Sequence, residues 1–211
     1  MNRWLAAFLR HFFRLLYHEF AWTYDLVAWV VSLGRWKRWV HSSLPYLEGP
    51  RILELGPGPG HLQVALVQKG IQVYGMDSSP QMLHQAAQRL ARKNYPSRLV
   101  LGKAPDLPFA SSSFDQIVAT FPTEYIFHPP ALCEIQRLLH PGGSLVILPV
   151  AWITGGGWLD RLAARLFQLT GQAPAWNERR LQPFRQAGLD VSTRMVQLEG
   201  SEVMLIVARK P

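Results

Sequence analysis

The chain has 211 residues, of which 48% are hydrophobic and 17% are charged, and its net charge is +8. These proportions predict one folded domain with a full core and exclude an intrinsically disordered chain. Cys133 is the only cysteine, which excludes an internal disulfide and a cysteine-rich zinc site, and its place in an apolar helical run predicts a core residue.

The first block of the chain, residues 1–48, is helical in pattern. Apolar side chains recur at helical spacing within residues 1–20, and a second helical run covers Tyr24–Val40. Residues 1–41 hold six Lys and Arg against two acids, about half of the net charge, together with many aromatic side chains. We favour a helical cap on the core, and we keep contact of residues 1–20 with an anionic membrane surface as the alternative.

No segment has the pattern of a transmembrane span or of a signal peptide. The longest apolar run, Ala21–Leu33, is short and contains Asp25. Arg10 and Arg14 interrupt the apolar stretch before it, and no cleavage site follows. The sequence therefore predicts a cytoplasmic protein, with membrane association left open.

The second block, residues 51–150, alternates strands and helices. Five apolar runs predict buried strands, namely RILEL, IQVYGMD, SRLVLG, FDQIVATF and SLVILPV. Three amphipathic runs between them predict helices, namely HLQVALVQK, PQMLHQAAQRLARK and PPALCEIQRLLH, the last ended by a PGG turn. This alternation predicts an α/β fold whose parallel sheet has helices on both faces.

The third block begins at the glycine run Gly155–Gly157. The amphipathic pattern after it predicts a helix, which we assign as a lid inserted at about residues 156–172 of a domain covering residues 49–211. A further helix is predicted to stop at Gly188. Two strands joined by a turn at Glu199–Gly200 are expected to close the sheet with one antiparallel strand.

The strand RILEL ends in a glycine-rich turn, residues 56–60, of a kind that often holds a nucleotide. A phosphate-binding P-loop needs Lys followed by Ser or Thr after its last glycine, but His61 and Leu62 follow Gly60. A dinucleotide site needs glycine at the position of His61. The remaining pattern is an acid followed by three alternating glycines, formed by Glu54, Gly56, Gly58 and Gly60.

This pattern closely resembles the first motif of the class I S-adenosylmethionine-dependent methyltransferases, in the branch of the type 11 and ubiquinone-biosynthesis methyltransferases. The following strand ends in Asp77, where a carboxylate can accept both ribose hydroxyls. The segments GKAPDLPFASSSFD and EIQRLLHPGGSLVI resemble later motifs of the family, in the correct order. The resemblance implies a Rossmann-like fold with a seven-stranded, mostly parallel sheet in the order 3-2-1-4-5-7-6, and S-adenosyl-L-methionine as the methyl donor.

The resemblance also implies which residues bind the donor. Glycines without side chains let the backbone approach the amino-acid tail and ribose. The implied donor-binding set is Glu54, Gly56, Gly58, Gly60, Asp77, Ser78, Met82, Lys103, Ala104 and Thr120. Lys103 departs from the family, which has an acid there that accepts a hydrogen bond from the adenine amino group. Lysine cannot accept one, so the backbone near Ala104 and stacking must hold adenine instead.

The methyl acceptor is expected beyond the end of the fourth strand. Glu124 and His128 are the candidates for a general base, and Tyr24 is a further catalytic candidate on the N-terminal helix. For His128 a structural role in the loop before the next helix is favoured. No metal site is predicted.

The residues at the end of the fourth strand restrict the class of methyl acceptor. Enzymes that methylate bases often carry an Asn-Pro-Pro-Tyr type of motif here, whereas this chain has Thr120 to Thr123, TFPT, so methylation of RNA ranks low despite the basic charge. Two acceptors remain, a small or medium apolar molecule under a helical roof, or a lipid or quinone-like molecule reached from a membrane. A non-catalytic subunit or sensor that binds the donor is the alternative from another class. The oligomeric state is not predicted.

Overall fold

The computed structural model describes residues 24–158, residue 160 and residues 177–211. The helices are α1 (Tyr24–Ser32), α2 (Trp36–His41), α3 (His61–Gln68), α4 (Pro80–Ala91), α5 (Pro129–Leu138) and α6 (Gln182–Gln186). The strands are β1 (Arg51–Leu55), β2 (Gln72–Asp77), β3 (Leu99–Leu101), β4 (Phe114–Thr120), β5 (Leu139–Ile153), β6 (Asp190–Leu198) and β7 (Ser201–Arg209). Short 3-10 turns cover Leu44–Tyr46, Glu124–Phe127 and Glu178–Leu181.

The strands form one seven-stranded sheet in the order β3-β2-β1-β4-β5-β7-β6. β1 to β5 pair in parallel, while β7 runs antiparallel to both β5 and β6. The turn between β6 and β7 lies at Glu199–Gly200, and Gly200 has a positive φ of 66°. The predicted fold, strand order and antiparallel closing strand are therefore confirmed.

The two faces of the sheet are buried by different helices. Side chains of a strand alternate between faces, so neighbouring residues of β1 belong to different cores. Leu53 packs in the core that contains α5 and α6, with Ile135 and Phe184 fully buried there. Ile52 packs in the core that contains α2 and α3, with Leu62. A parallel sheet covered on both faces requires this nearly continuous run of apolar residues in its strands.

Two sequence predictions about the helices are wrong. The single helix predicted over Tyr24–Val40 is broken at Leu33 and Gly34, whose φ angles of 52° and 76° are left-handed, and α2 starts beyond the break. Cys133 is exposed, because the buried stripe of α5 is formed by Ala131, Leu132, Ile135 and Leu138. The first predicted helix, within residues 1–20, and most of the predicted lid lie outside the described residues.

The site is positioned by the order of the strands. The chain leaves β1 toward β2 and later returns to β4 on the other side of β1, so the loops after these strands diverge at their carboxyl ends. Such a switch point opens a crevice in parallel sheets, and ligands bind there. In this fold the glycine turn follows β1, Ser78 follows β2 and Phe121 follows β4.

Candidate functional site

A cleft of about 370 Å³ opens at this switch point, a volume within the range of small-molecule sites. It is lined by Leu55, Gly56, Gly58, Met76, Asp77, Ser78, Ser79, Gly102, Lys103, Ala104, Thr120, Phe121, Pro122, Thr123 and Tyr125. Seven of the ten residues of the predicted donor-binding set are in this lining; Glu54, Gly60 and Met82 are not. The roles of all ten stay predictions.

The glycine turn presents backbone to the cleft. Gly56 and Gly58 have left-handed φ angles of 73° and 52°, which residues with side chains rarely adopt. A Cβ atom added to Gly58 would meet no atom within 4 Å, so its open face points into free space. The Gly56 amide donates to the carbonyl of Met76 at 2.8 Å, which fixes the turn against the end of β2.

Asp77 joins the end of β2 to the glycine turn. Its Oδ2 accepts a hydrogen bond from the Gly58 amide at 3.2 Å, and its Oδ1 accepts one from the Ser79 amide at 2.9 Å. These two bonds orient the carboxylate beside the turn, and a carboxylate is an acceptor for hydroxyl donors. The turn and the carboxylate therefore form one unit at the cleft wall.

Glu54 lies beneath the turn and not in the cleft. Its side chain is fully buried, and its Oε2 accepts a hydrogen bond from Gln63 Nε2 at 2.7 Å. Burial raises the pKa of Glu54 to about 8, the Gln63 bond opposes this, and the nearby charge of Asp77 adds to it. Glu54 is therefore largely protonated at neutral pH, as a buried partner of α3 behind the site.

Packing accounts for the positions of Gly60 and Met82. A Cβ atom on Gly60 would stand 2.8 Å from Ala86 Cβ and 2.9 Å from Ala86 Cα, so Gly60 permits the close approach of the turn to α4. Met82 is fully buried in α4, and its amide donates to the Ser79 hydroxyl that caps this helix. Both residues support the cleft wall from behind.

The loop after β3 forms the end of the cleft where adenine is expected. Lys103 and Ala104 lie in the lining, and Lys103 is exposed. The loop is held from α5, because Arg137 donates to the carbonyls of Leu107 at 3.2 Å and Phe109 at 2.9 Å. Arg137 is fixed in turn by its ion pair with Glu134 at 2.7 Å.

The opposite end of the cleft is aromatic. Phe121 has a left-handed φ of 49°, and its amide donates to the Leu148 carbonyl at 2.7 Å. Trp36 of α2 stacks on the Phe121 ring with centroids 4.2 Å apart, and Trp39 contacts the same ring at 6.2 Å. Trp39 is anchored by its indole N–H, which donates to the Ser201 hydroxyl at 2.8 Å.

None of the three predicted catalytic residues lies in the cleft lining. Glu124 is exposed and points to Arg180 at 3.5 Å, and His128 is exposed just before α5. Tyr24 begins α1, and its side chain lies outside the description. The prediction missed Phe121 and Tyr125, which line the cleft instead. The aromatic spacing in TFPTEYIF is the one local signal for them.

In residues 24–158, 160 and 177–211, no three His, Cys, Asp or Glu side chains cluster closely enough to hold a metal ion. Within the same ranges, no helix has the length and hydrophobicity needed to cross a bilayer.

Comparison with known sequences identifies the central part of the chain. Residues 53–147 match the family model Methyltransf_11, described as a methyltransferase domain. The chain is 31% identical over 134 residues to the ubiquinone/menaquinone biosynthesis C-methyltransferase UbiE of Geotalea daltonii, covering 59% of this chain and 57% of the relative. It is 34% identical over 139 residues to the demethylmenaquinone methyltransferase of Tropheryma whipplei, covering 64% and 57%. The chain thus spans less than two thirds of these relatives.

Solved structures share the fold at low sequence identity. Phosphoethanolamine N-methyltransferase 2 of Haemonchus contortus, in complex with phosphomonomethylethanolamine and S-adenosylhomocysteine, has a TM-score of 0.63 and 18% identity, covering 84% of this chain and 54% of that one. The [4+2]-cyclase SpnF has a TM-score of 0.64 and 19% identity, covering 84% and 80%. The sequence match and the sheet order agree: residues 53–147 match a methyltransferase-domain family, and the strand order is the one predicted for the class I S-adenosylmethionine-dependent methyltransferase fold.

Proposed function

We propose that the chain binds S-adenosyl-L-methionine in this cleft and transfers its methyl group to an apolar, quinone-like acceptor. The observation that supports this most directly is the hydrogen bond between Asp77 and the Gly58 amide. It joins a ribose-binding carboxylate to a glycine turn whose open face a Cβ would occupy, so the residues present fit the donor. In this proposal Asp77 accepts the ribose hydroxyls, and Lys103 and Ala104 border the adenine.

Methyl transfer requires little chemical participation from the protein side chains. The donor supplies an electrophilic methyl group on a positively charged sulfur, so the residues mainly hold the acceptor in line with it. Such alignment is worth about 7–11 kcal/mol in favourable cases. Phe121 and Pro122 exclude water at the acceptor end. A general base is needed only for an acceptor that is protonated at working pH.

The lining of the acceptor end favours an aromatic acceptor that ionises easily. The lining residues after β4 are Thr120 to Thr123 and Tyr125, and they include neither a carboxylate nor an imidazole. A hydroquinone ring can lose a proton without a strong base, and its ring can stack on Phe121. The printed names of the relatives, which concern quinone biosynthesis, support the same class.

The proposal also includes two segments that would cover the cleft. Residues 1–48 would act as a cap and residues 156–172 as a lid, with Glu124, His128 and Tyr24 as base candidates should one be required. A lipid-like acceptor would reach the site from a membrane surface bound by residues 1–20. Sedimentation of the full chain and of a variant lacking residues 1–20 with anionic vesicles tests the anchor. Equal recovery of both in the supernatant would exclude it.

The function is tested in two steps with the full chain. Calorimetry should detect binding of S-adenosylmethionine, and Asp77→Asn should weaken it. Radiolabelled donor is then incubated with a reduced demethylated naphthoquinone bearing a short prenyl tail, and label should appear in the organic phase. The structural likeness to SpnF, a [4+2]-cyclase, makes the second step essential. Binding without transfer to this quinol or to a panel of apolar acceptors would favour a non-catalytic donor-binding role.

A further inference from the structure

Tyr125 lines the cleft but has no role in the proposed methyl transfer. It lies in the 3-10 turn that follows β4, and the turn directs successive side chains to different places. Glu124 points outward to Arg180, Ile126 is fully buried in the core, and Tyr125 enters the cleft. The short three-residue period of the turn thus selects the tyrosine, and not the acid before it, to face the site.

The Tyr125 hydroxyl stands over the first glycine of the turn. A Cβ atom built on Gly56 would lie 4.0 Å from this oxygen, which is the one atom within 4 Å among the described residues other than Gly56 and its chain neighbours. The space above Gly56 is therefore bounded by backbone on one side and by a phenol group on the other. A ligand chain running along the turn would pass beside both groups and contact them.

The electrostatics make the hydroxyl a neutral hydrogen-bonding group. Burial raises the pKa of Tyr125, and the nearby charges of Asp77 and Glu54 raise it further. The phenol therefore keeps its proton at any physiological pH and can donate a hydrogen bond. Tyr125 is half-buried, and its hydroxyl is not among the fully buried side-chain atoms that lack a partner in the described part of the chain. The hydroxyl therefore remains accessible from the cleft, where a ligand can supply a hydrogen-bond partner.

We propose that the Tyr125 hydroxyl binds the amino-acid tail of the methyl donor and fixes it against Gly56. This rests on the proposed function, which assigns the ribose to Asp77 and the adenine to the loop at Lys103 and Ala104. The tail is the part of the donor left for the Gly56 end of the cleft. Its carboxylate can accept a hydrogen bond from the phenol, and the carboxylate of Asp77 in the same cleft lining attracts its ammonium group.

The test compares two ligands that differ only in the tail region. S-adenosylhomocysteine carries the amino-acid tail, whereas 5′-methylthioadenosine keeps the adenine, ribose and sulfur but lacks it. Affinities of both for the wild type and for Tyr125→Phe are measured by calorimetry, which requires no turnover. Tyr95→Phe, in the turn after α4 and outside the cleft lining, is the matched control. Circular dichroism checks that each variant is folded.

The expected result is a loss that depends on the tail. Tyr125→Phe should weaken S-adenosylhomocysteine by about tenfold or more, the range for a hydrogen bond to a charged group, and should leave 5′-methylthioadenosine within twofold. Equal weakening of both ligands, or no weakening of either, would overturn the assignment of Tyr125 to the tail. Failure of the wild type to bind either ligand would instead overturn the proposed function itself.

Discussion

The two ends of the cleft are built by different means. The donor end consists mainly of backbone: Gly56 and Gly58 in left-handed conformations, with the carboxylate of Asp77 bonded to amides. The acceptor end consists of stacked side chains, with Trp36 on Phe121. Backbone geometry is nearly independent of most substitutions, whereas a stack of rings changes shape with each one. The difference indicates that substitutions change the backbone end of the cleft little, whereas they can reshape the aromatic end.

The largest effect should come from a side chain added at Gly60, where the glycine turn lies against α4. Gly60→Ala places a Cβ 2.8 Å from Ala86 Cβ at a φ of +83°, so strain and overlap add. We expect the free energy of unfolding, measured by urea denaturation, to fall by about 3 kcal/mol.

A control glycine distinguishes conformational strain from steric overlap with Ala86. Gly70 has a similar φ of +78°, but a Cβ there would meet no atom within 4 Å. Gly70→Ala should therefore cost only about 1 kcal/mol, from conformational strain. Equal losses for the two variants would mean that contact with α4 does not explain Gly60.

The next effect concerns the donor carboxylate. Asp77→Asn removes the charge but keeps the shape, so bonds to two ribose hydroxyls weaken. We expect the affinity for S-adenosylmethionine, measured by calorimetry, to fall about 30-fold. Asp106→Asn, an exposed acid outside the cleft lining, is the control and should change the affinity less than twofold. Unchanged affinity in Asp77→Asn would show that the donor end is not organised around this residue.

A third variant tests the buried acid beneath the donor end. The pKa of Glu54 is raised to about 8 from 4.5, so the folded protein holds a proton that the unfolded chain has lost between these values. Stability from this group is complete below pH 4.5 and is lost as the pH rises through about 8. Glu54→Gln removes the loss, so its melting temperature should exceed that of the wild type by about 5 °C at pH 9.

The same comparison at low pH supplies the check. The advantage of Glu54→Gln should shrink steadily as the pH is lowered toward 5, because the unfolded wild-type chain then increasingly keeps the proton that the folded protein already holds. Glu48→Gln, at an exposed position, should show no such trend. A constant difference across the pH range would contradict the raised pKa.

The smallest effect is expected at the acceptor end. Trp36→Leu removes the ring behind Phe121, and an aromatic pair is worth about 0.5–1.5 kcal/mol beyond its burial. The KM for the acceptor should rise about fivefold, while the dissociation constant of the donor stays within twofold. Trp29→Leu, at a side chain that is 62% exposed, should change neither value. A matching loss of donor affinity in Trp36→Leu would remove the distinction between the two ends.

The same difference explains what the sequence could predict. Glycine spacing and an acid at a strand end are local signals, and they predict Gly56, Gly58 and Asp77, which line the cleft. The stack of Trp36 on Phe121 joins distant parts of the chain, and no local pattern marks it. Glu124 was chosen for its chemistry, but the phase of the 3-10 turn directs it to Arg180.

The break of the first helical run has a similar origin. The apolar pattern over Tyr24–Val40 is continuous enough for one helix, yet the chain turns at Leu33 and Gly34. The turn lets Trp39 reach the sheet, where it is fully buried. Tertiary packing here outweighs a pattern that favours continuation. Cys133 was assigned to the core because its neighbours are apolar, although it lies one position off the buried stripe.

The hydrogen bond from Trp39 to Ser201 affects the order in which parts of the cleft can form during synthesis. Its partners are 162 residues apart, one at the start of the described chain and the other in the final hairpin. A chain synthesised from its N-terminus presents the glycine turn, Asp77, Ala104 and Tyr125 before β7 exists. The hydrogen bond that anchors Trp39 beside Phe121 can form only after β7, the last strand, has been synthesised. A nascent chain is therefore expected to be able to hold the donor before it can select an acceptor.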